Sequence, residues 1–370
     1  MWQLVKRLSR PSRPTRSRTG SRHSFQPMLE ALEDRQVPSS TGVISSITAA
    51  NNDTVAFTVG TDGQVYYALN SGWNRLGGSS TGGATFRQVS AGNQNGLAVC
   101  YAIQNGTGNL WEFSPGFNLF PTFPVYLWDN SVQNYALNRG GVCLQISATR
   151  NGECYAIGAD HAVWLNDASG SWSQVMSFPG GAAVQISAGV DKGGQDKAYA
   201  LVTYGSIPGG AFIDELNHDG SGQWLTDQHG NYLRANQISA GIGNNTTGID
   251  LFYLDTNNWA HYFNGSTDTW INFRGIQISA GLNQAGNPEC YAIGDDNALY
   301  TLGTAWNQFT YDGGWMTQIS GAQNDMVFVV GGSNQIWGFD PDNQWAWNWD
   351  GASSSGNWHY SYGISANPNS

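Results

Sequence analysis

A short triplet that ends in small residues recurs along the chain and limits the folds that it can adopt. A typical triplet reads Ile-Ser-Ala, and consecutive copies begin 40 to 57 residues apart. These triplets, here called anchors, begin at Ile47, Val89, Ile146, Ile186, Ile238, Ile278, Ile319 and Ile364. Self-similarity at such a period indicates a repeat architecture, in which each repeat is one supersecondary unit.

Each repeat has the residue pattern of consecutive β-strands. Nine to fourteen residues after each of the first seven anchors comes an aromatic residue, and an aliphatic residue follows two positions later. The aromatic residues are Phe57, Tyr101, Tyr155, Tyr199, Phe252, Tyr291 and Phe328. A turn of Gly, Asp and Asn comes next, which predicts a β-hairpin, and a further Trp completes most repeats. Four strands with short turns account for about 40 residues.

Four-stranded units of this length predict an all-β fold, a seven-bladed β-propeller of four-stranded antiparallel blades. The seven repeats start near 47, 89, 146, 186, 238, 278 and 319. The small anchor residues suit the innermost strands, where blades crowd the axis. A six-bladed ring with one degenerate repeat and a linear solenoid are the alternatives. The sequence does not decide whether the strand at Ile47 or the one at Ile364 closes the ring.

The repeats resemble the tectonin β-propeller repeat, in which a Trp precedes a Val/Ile-Ser-x-Gly strand, an apolar strand, an Asn/Asp/Gly turn and an Ile-Tyr or Val-Trp pair. The copies most similar to it are 146–172 and 278–306, and the resemblance extends loosely over residues 47–366. Many tectonin-like propellers are lectins for microbial or cell-surface glycans, so the resemblance implies carbohydrate binding. It covers scaffold positions only and transfers no binding residue.

Charge divides the chain into two parts. Residues 1–27 carry seven basic residues and no acidic one, whereas residues 41–370 carry eight basic and 24 acidic residues, a net charge of −16. A body this acidic repels phosphate backbones, so we expect no nucleic-acid partner. We assign residues 1–40 to a disordered targeting segment and residues 41–370 to the propeller.

The targeting segment contains Leu29-Glu30-Ala31-Leu32-Glu33-Asp34-Arg35 followed by Pro38. This stretch resembles the Leu-Glu-x-Leu-Glu-Asp-Arg motif that follows a basic arm in large planctomycete-type extracellular proteins. The resemblance implies export, so we expect a secreted or cell-surface protein. The alternative is a single amphipathic helical turn that ends before the proline. No apolar run approaches the ~20 residues of a membrane span, and we expect none.

The cysteines and the histidine-rich segment do not predict a metal or a cofactor. Cys100, Cys154 and Cys290 share one repeat position that elsewhere holds Ala, Leu or Val, so all four cysteines, including Cys143, are predicted to be free and buried. The fourth repeat carries an insertion over 214–220 and 227–229, with two histidines and several acids. Its spacing matches no zinc or calcium pattern, and we predict a solvated loop.

Repeated aromatic side chains are the candidate ligand contacts. Flat aromatic faces cover the C–H faces of sugar rings, and nearby amides and carboxylates hydrogen-bond hydroxyl groups. The candidates are Tyr66, Trp111, Trp164, Trp259, Tyr300, Trp337, Trp128 and Trp224. In the fifth repeat, either Trp259 or His261 fills the common position. Packing between blades is the alternative role for each ring, and the sequence does not reveal which rings are exposed.

These features favour a non-catalytic, extracytoplasmic propeller that binds a glycan or cell-surface polysaccharide. The alternative is a structural propeller or one that binds other proteins. A glycoside hydrolase would need two carboxylates about 5–10 Å apart across a pocket. No catalytic motif places such a pair, so we expect no enzyme.

Overall fold

The structure is a computed structural model, and the residues that it describes all lie in one compact unit, Ser40–Ser370. They are residues 44–48, 54–60, 62–68, 73–76, 81–94, 97–114, 116–117, 126–127, 135–149, 151–190, 195–205, 210–241, 250–283, 287–302, 306–309, 315–321, 327–332, 336–340, 345–349 and 358–360. The predicted targeting segment, its export motif, Trp128 and Ile364 lie outside these ranges.

The first three repeats each form a four-stranded antiparallel sheet. The first sheet contains β1 (Ile44–Thr48), β2 (Thr54–Val59), β3 (Val65–Ala68) and β4 (Trp73–Arg75). The second begins with β5 (Phe86–Gln94), β6 (Leu97–Gln104) and β7 (Leu110–Ser114). A separate pair, β8 (Gly116–Phe117) and β9 (Tyr126–Leu127), precedes its last strand, β10 (Tyr135–Gly140). The third contains β11 (Cys143–Ala148), β12 (Cys154–Gly158), β13 (Val163–Asn166) and β14 (Trp172–Met176).

The later repeats form larger sheets. The fourth sheet contains β15 (Gly181–Val190), β16 (Asp196–Tyr204), β17 (Ala211–Asn217), β18 (Gly222–Trp224) and β19 (Arg234–Ala235). The fifth has seven strands, β20 (Gln237–Ala240), β21 (Leu251–Leu254), β22 (Trp259–Phe263), β23 (Asp268–Leu282), β24 (Pro288–Gly294), β25 (Leu299–Leu302) and β26 (Trp306–Phe309). The sixth contains β27 (Met316–Gly321), β28 (Val327–Gly331), β29 (Ile336–Asp340), β30 (Trp345–Trp349) and β31 (Trp358–Tyr360).

The sheets follow one another in a propeller-like arrangement. Each anchor strand contacts the anchor strand of the next repeat, and β1 contacts β5 on one side and β27 on the other. All strand pairs within the sheets are antiparallel, and no α-helix occurs in the described ranges. The predicted all-β propeller class is thus confirmed. None of the described residues belongs to a helix that is long and apolar enough to cross a bilayer.

Side-chain hydrogen bonds connect the anchor strands of successive repeats. The anchor serine accepts a hydrogen bond from a backbone amide of the next anchor, as Ser90 does from Ala148 at 2.8 Å. The glutamine that precedes the anchor also accepts such a bond. For example, Gln185 Oε1 accepts the backbone amide of Ile238 at 3.0 Å. Equivalent bonds join Gln145 to Ile186, Gln237 to Ile278, Ser187 to Ala240, Ser239 to Ala280 and Ser279 to Gly321. The anchor sequence therefore holds adjacent repeats together through specific bonds as well as through its small size.

The aromatic residue on the second strand of each repeat belongs to the core. The exposed fraction of these side chains is 4% or less in all seven repeats. They pack in apolar clusters that join consecutive repeats. For example, Tyr155 and Ile157 of the third repeat belong to the same cluster as Ala188 and Ala200 of the fourth. The core is therefore divided among the interfaces between sheets.

The predicted hairpin turns after the second strands are also confirmed. Their fourth residue has a positive φ of 73° at Gly63, 59° at His161, 64° at Asn258 and 63° at Asn297. This left-handed backbone favours Gly and Asn, which explains why these residues recur at the turns.

Candidate functional site

Strand register defines one side-chain position that all seven repeats share. It lies on the third strand, as Trp164 does opposite Ala156 and Tyr66 opposite Thr58. Trp111, Tyr300 and Trp337 hold this position in three more repeats. In the fourth repeat it is Asp214, which pairs with Ala200. In the fifth it is His261, opposite Tyr253, and Trp259 pairs instead with Arg274.

Residues in or near the preceding turn hold the polar ends of these rings. The Tyr66 hydroxyl donates to Asp62 Oδ2 at 2.8 Å, and the Tyr300 hydroxyl donates to Asp296 Oδ2 at 2.7 Å. Burial and the bonded carboxylate raise the pKa of Tyr66 to about 12, and the same two causes act on Tyr300. The Trp111 indole donates to Gln104 Oε1 at 3.0 Å. The rings are thus fixed parts of the turn structure.

The candidate rings differ in exposure. Tyr66 and Trp337 are buried, and Trp111, Trp164, Trp259, Tyr300 and Trp224 are half-buried. None of these seven side chains is fully exposed, so part of each ring packs against the protein.

Two tryptophan rings line a cleft of about 380 Å³ in the third sheet, next to the loop that joins it to the second. Trp164 and Trp172 belong to the third sheet, and the carboxylate of Asp160 lies beside them. The Trp164 indole donates to Asp160 Oδ1 at 3.2 Å, and this oxygen also accepts the backbone amide of Ala162. The rest of the lining is mainly apolar and comes from Gly141, Val142, Cys143, Ala156, Gly158 and Ala159.

Trp172 is oriented by the neighbouring repeat. Its indole donates to the Arg139 carbonyl at 2.8 Å. The Arg139 guanidinium forms an ion pair of 2.6 Å with Glu112 and also bonds to the Ser169 carbonyl. The ring therefore has a fixed position on the wall of the cleft. The sequence identified Trp172 only as the tryptophan that completes a repeat and did not predict it as a ligand contact.

Two glycines allow the rings to approach the backbone. A Cβ atom at Gly158 would lie 2.5 Å from Asp160 Oδ1 and 2.9 Å from Trp164 Cδ1. A Cβ atom at Gly141 would lie 2.8 Å from Trp172 Cζ2. Contacts under 3.0 Å force a shift, so both glycines are needed for this shape of the cleft.

The fourth repeat has an aromatic cluster at the corresponding place. Trp224 packs against Phe178, Tyr204 and Phe212 with ring centroids 5.8 to 6.3 Å apart. Asp214 pairs with Trp224 across the strands and is 4% exposed. Burial, with a smaller contribution from the charge of Glu215, raises the pKa of Asp214 to about 7.

The prediction of a solvated loop over 214–220 is wrong for its first half. Residues 214–217 lie in β17, and Asp214, Glu215 and Leu216 are buried. They supply the third strand of the fourth repeat, and the extra length lies in the hairpin around 227–231 and in β19. His218 and His229 are exposed, as predicted for a solvated segment. No group of three or more ligating side chains in the described ranges could hold a metal ion.

The four cysteines are free and buried, as the repeat position predicted. Burial raises the pKa of the Cys143 thiol to about 12, despite the opposing charge of Arg87. Burial also raises the pKa of the Cys100 and Cys154 thiols well above the ordinary value. The thiols therefore act as packing groups, including Cys143 at the wall of the cleft.

Comparison with known proteins reveals likeness of fold without likeness of sequence. No family model matches the chain, and no curated protein matches it. A prolyl endopeptidase structure aligns with a TM-score of 0.53 at 12% identity, over 88% of this chain and 50% of that chain. A mutant of the Aleuria aurantia lectin in complex with Fucα1-6GlcNAc aligns at 0.42 and 14%, over 86% and 94% of the two chains. The SapL1 lectin in complex with alpha methyl fucoside aligns at 0.45 and 16%, over 74% and 96%.

The endopeptidase alignment shows a shared fold alone, and the chain spans about half the length of that protein.

Proposed function

We propose that the chain is a non-catalytic, carbohydrate-binding β-propeller that acts outside the cytoplasm. The observation that carries this proposal is the cleft with Trp164 and Trp172 in its wall. Aromatic faces in a concave, mainly apolar site beside a carboxylate suit a sugar, which has apolar C–H faces and hydroxyl groups at its rim. Asp160 supplies that carboxylate, already oriented by the Trp164 indole.

A repeated arrangement of side chains supports the proposal. In each repeat the shared position on the third strand pairs across to the fourth strand, and each pair combines a ring with a polar residue. The pairs are Tyr66–Arg75, Trp111–Asn138, Trp164–Gln174, Asp214–Trp224, His261–Trp270, Tyr300–Gln308 and Trp337–Asn348. A repeated combination of this kind favours repeated weak binding, which gains strength by avidity on a polymeric glycan.

The ring that carries these pairs has seven blades in our proposal, and the repeats are of the tectonin type. The long strand β23 supports this number, because its first part pairs with β22 and its second part with β24, so it serves two repeats. The contacts of β1 with both β5 and β27 support closure of the ring by the strand at Ile47. The sequence of the anchor and its turns supports the tectonin type.

The proposal of a non-catalytic role follows from the lining of the cleft. Asp160 is the single carboxylate among its lining residues, and glycoside hydrolysis requires two. The location outside the cytoplasm rests on the sequence motif at 29–35. The net charge of −16 in residues 41–370 supports the absence of a nucleic-acid partner.

A second candidate function, binding of a protein partner, is favoured by three exposed aliphatic residues. Leu144, Val184 and Ile276 each lie two positions before an anchor, where the strand register shifts by a residue. Their exposed fractions are 41%, 49% and 49%. Such side chains suit a protein contact, although each lies on a different strand.

A glycan array with the full chain tests the proposal. We expect binding to a subset of glycans, at least tenfold weaker in Trp164→Ala and Trp172→Ala. Trp315→Ala is the matched control, because Trp315 is 68% exposed and lies in the seventh repeat, away from the cleft. An array without signal at millimolar sensitivity, or binding that both cleft variants retain, would contradict carbohydrate binding at this site.

A further inference from the structure

A second aromatic surface, in the fifth repeat, differs from the cleft in its charge. Trp259 and Trp270 meet at an angle of 69° with ring centroids 5.6 Å apart, and Trp270 is 56% exposed. An exposed tryptophan at a corner of this kind presents a large apolar face to solvent. We call this pair the aromatic corner.

A row of rings leads from the core to the aromatic corner. Tyr253, His261 and Trp270 lie opposite one another on β21, β22 and β23. The His261 ring stacks on Tyr253 with centroids 4.7 Å apart. His261 therefore has little freedom to move, and Trp270 forms the outer end of a rigid row.

Carboxylates surround this row. Asp268 accepts the Tyr253 hydroxyl at 2.8 Å and lies 3.1 Å from His261 Nδ1. Asp255 Oδ2 lies 3.9 Å from His261 Nε2. Burial first, and then the negative charges of Asp268, Asp255 and Asp227, raise the pKa of Tyr253. Three carboxylates therefore act on one point of the interface between the fourth and fifth repeats.

The two arginines on neighbouring strands contact other groups. Arg274 forms an ion pair of 3.4 Å with Asp295, and the Arg234 guanidinium lies over the Phe212 ring at 4.5 Å. His261 and His229, which lies beside Asp227, add two basic groups. Asp255 and Asp268 lie 3.9 and 3.1 Å from the single imidazole of His261. Two carboxylates against one imidazole leave a negative charge at this point in either protonation state of the ring.

We propose that the aromatic corner binds a sugar that carries a protonated amine. The faces of Trp259 and Trp270 cover the sugar ring, and the ammonium group lies over an aromatic face within the field of Asp255 and Asp268. Cation–π contact and carboxylate charge both favour an ammonium group over the neutral acetamide of the same sugar. This inference rests on the proposed function, carbohydrate binding, and adds a ligand class to it.

The test compares two matched ligands by isothermal titration calorimetry with the full chain. One is a β1-4 glucosamine tetramer and the other is its fully N-acetylated form, both at pH 6 and 50 mM salt. We expect the amine form to bind about five- to tenfold more tightly, and 500 mM salt to remove most of this difference. Equal affinities, or a preference for the acetylated form, would overturn the inference.

Two variants locate the binding. Trp270→Ala removes an exposed ring and should abolish the preference for the amine. Asp255→Asn removes a charge but keeps an oxygen to accept the Asn257 and Trp259 amides, so the turn is retained. Asp255→Asn should weaken binding of the glucosamine tetramer about threefold and leave the affinity for the acetylated tetramer unchanged. Trp315→Ala is the control, and a loss of the preference in that variant would count against the aromatic corner.

Two further measurements separate this inference from the proposed function. Tetralysine should bind more weakly than the glucosamine tetramer, and equal binding would show a general attraction to an acidic protein, which overturns the ligand class. Neutral glycans that bind in the array should lose affinity in Trp164→Ala but not in Trp270→Ala. If Trp164→Ala weakens glycan binding but the protein shows no preference for the amine, only the aromatic corner is overturned. If the protein binds no sugar at all, the proposed function and this inference are both overturned.

Discussion

The Ser147 hydroxyl of the third repeat accepts a hydrogen bond of 2.8 Å from the backbone amide of Ala188 in the fourth. The two residues occupy the serine and alanine positions of consecutive anchors, 41 positions apart in the chain. Because the small alanine leaves room for the serine, the anchor strands approach closely enough for this bond. The triplet therefore encodes the spacing between sheets as well as the strand itself.

Replacement of this serine should destabilise the interface. In Ser147→Ala the Ala188 amide, in a buried strand, loses its partner. A buried donor left unpaired costs about 1–3 kcal/mol, so we expect a lower midpoint in urea or thermal unfolding. Ser173→Ala is the matched control, because Ser173 is exposed on β14 of the same sheet, and it should change the midpoint little. Equal midpoints for the two variants would show that the bond contributes nothing.

The sequence predicted the elements that depend on local pattern. The hairpin turns followed from Gly and Asn at positions that require a positive φ. The glutamine before the anchor was missed, although it recurs as Gln88, Gln145, Gln185, Gln237, Gln277 and Gln318. Its partners lie 41 to 58 residues away on the anchor strand of another repeat, so its role depends on how repeats pack.

The candidate site was less predictable, for a physical reason. Trp164 was predicted from its repeat position, but the cleft beside it exists because Gly141 and Gly158 leave space next to the rings. In the fourth repeat Phe178 and Tyr204 pack against the tryptophan. Whether a repeated ring faces a cleft or a neighbour therefore depends on residues outside the repeat pattern.

Asp214 should make stability depend on pH. Its pKa is raised to about 7 from 3.8, so between these values the folded protein holds a proton that the unfolded chain has released. The contribution of this group is therefore greatest below pH 3.8 and is lost as the pH rises to about 7. Asp214→Asn removes this dependence. We therefore expect the parent protein to lose about 3 °C of melting midpoint relative to the variant when the pH rises from 5 to 8.

Asp219→Asn is the control of opposite sign. Hydrogen bonds, first that from the Ser221 hydroxyl, lower the pKa of Asp219. Its contribution is present above the ordinary pKa and is lost as the pH falls. Melting curves for both variants from pH 3 to 8 should therefore diverge from the parent in different ranges. A parallel response of the two would contradict the assignment of a raised pKa to Asp214.

The cysteines should be inert in the folded protein. A thiolate is the reactive form, and burial raises the pKa of Cys100, Cys143 and Cys154 above the ordinary value. We expect no reaction with a thiol-specific chromogenic reagent at pH 8 over an hour, and reaction of four thiols in 6 M guanidinium chloride. Rapid reaction of one thiol in the native state would contradict this expectation, and mass spectrometry of the labelled protein would identify the cysteine.

Gly158→Ala should close the cleft without removing either tryptophan. The new Cβ would lie 2.5 Å from Asp160 Oδ1 and 2.9 Å from Trp164 Cδ1, so the carboxylate and the ring must both move. We expect stability to fall by about 1–3 kcal/mol and glycan binding at the cleft to fall at least tenfold. Gly205→Ala is the control, since a Cβ there meets nothing within 4 Å. Because Trp164 and Trp172 remain present, unchanged glycan affinity in Gly158→Ala would show that the sugar binds the rings from outside the cleft.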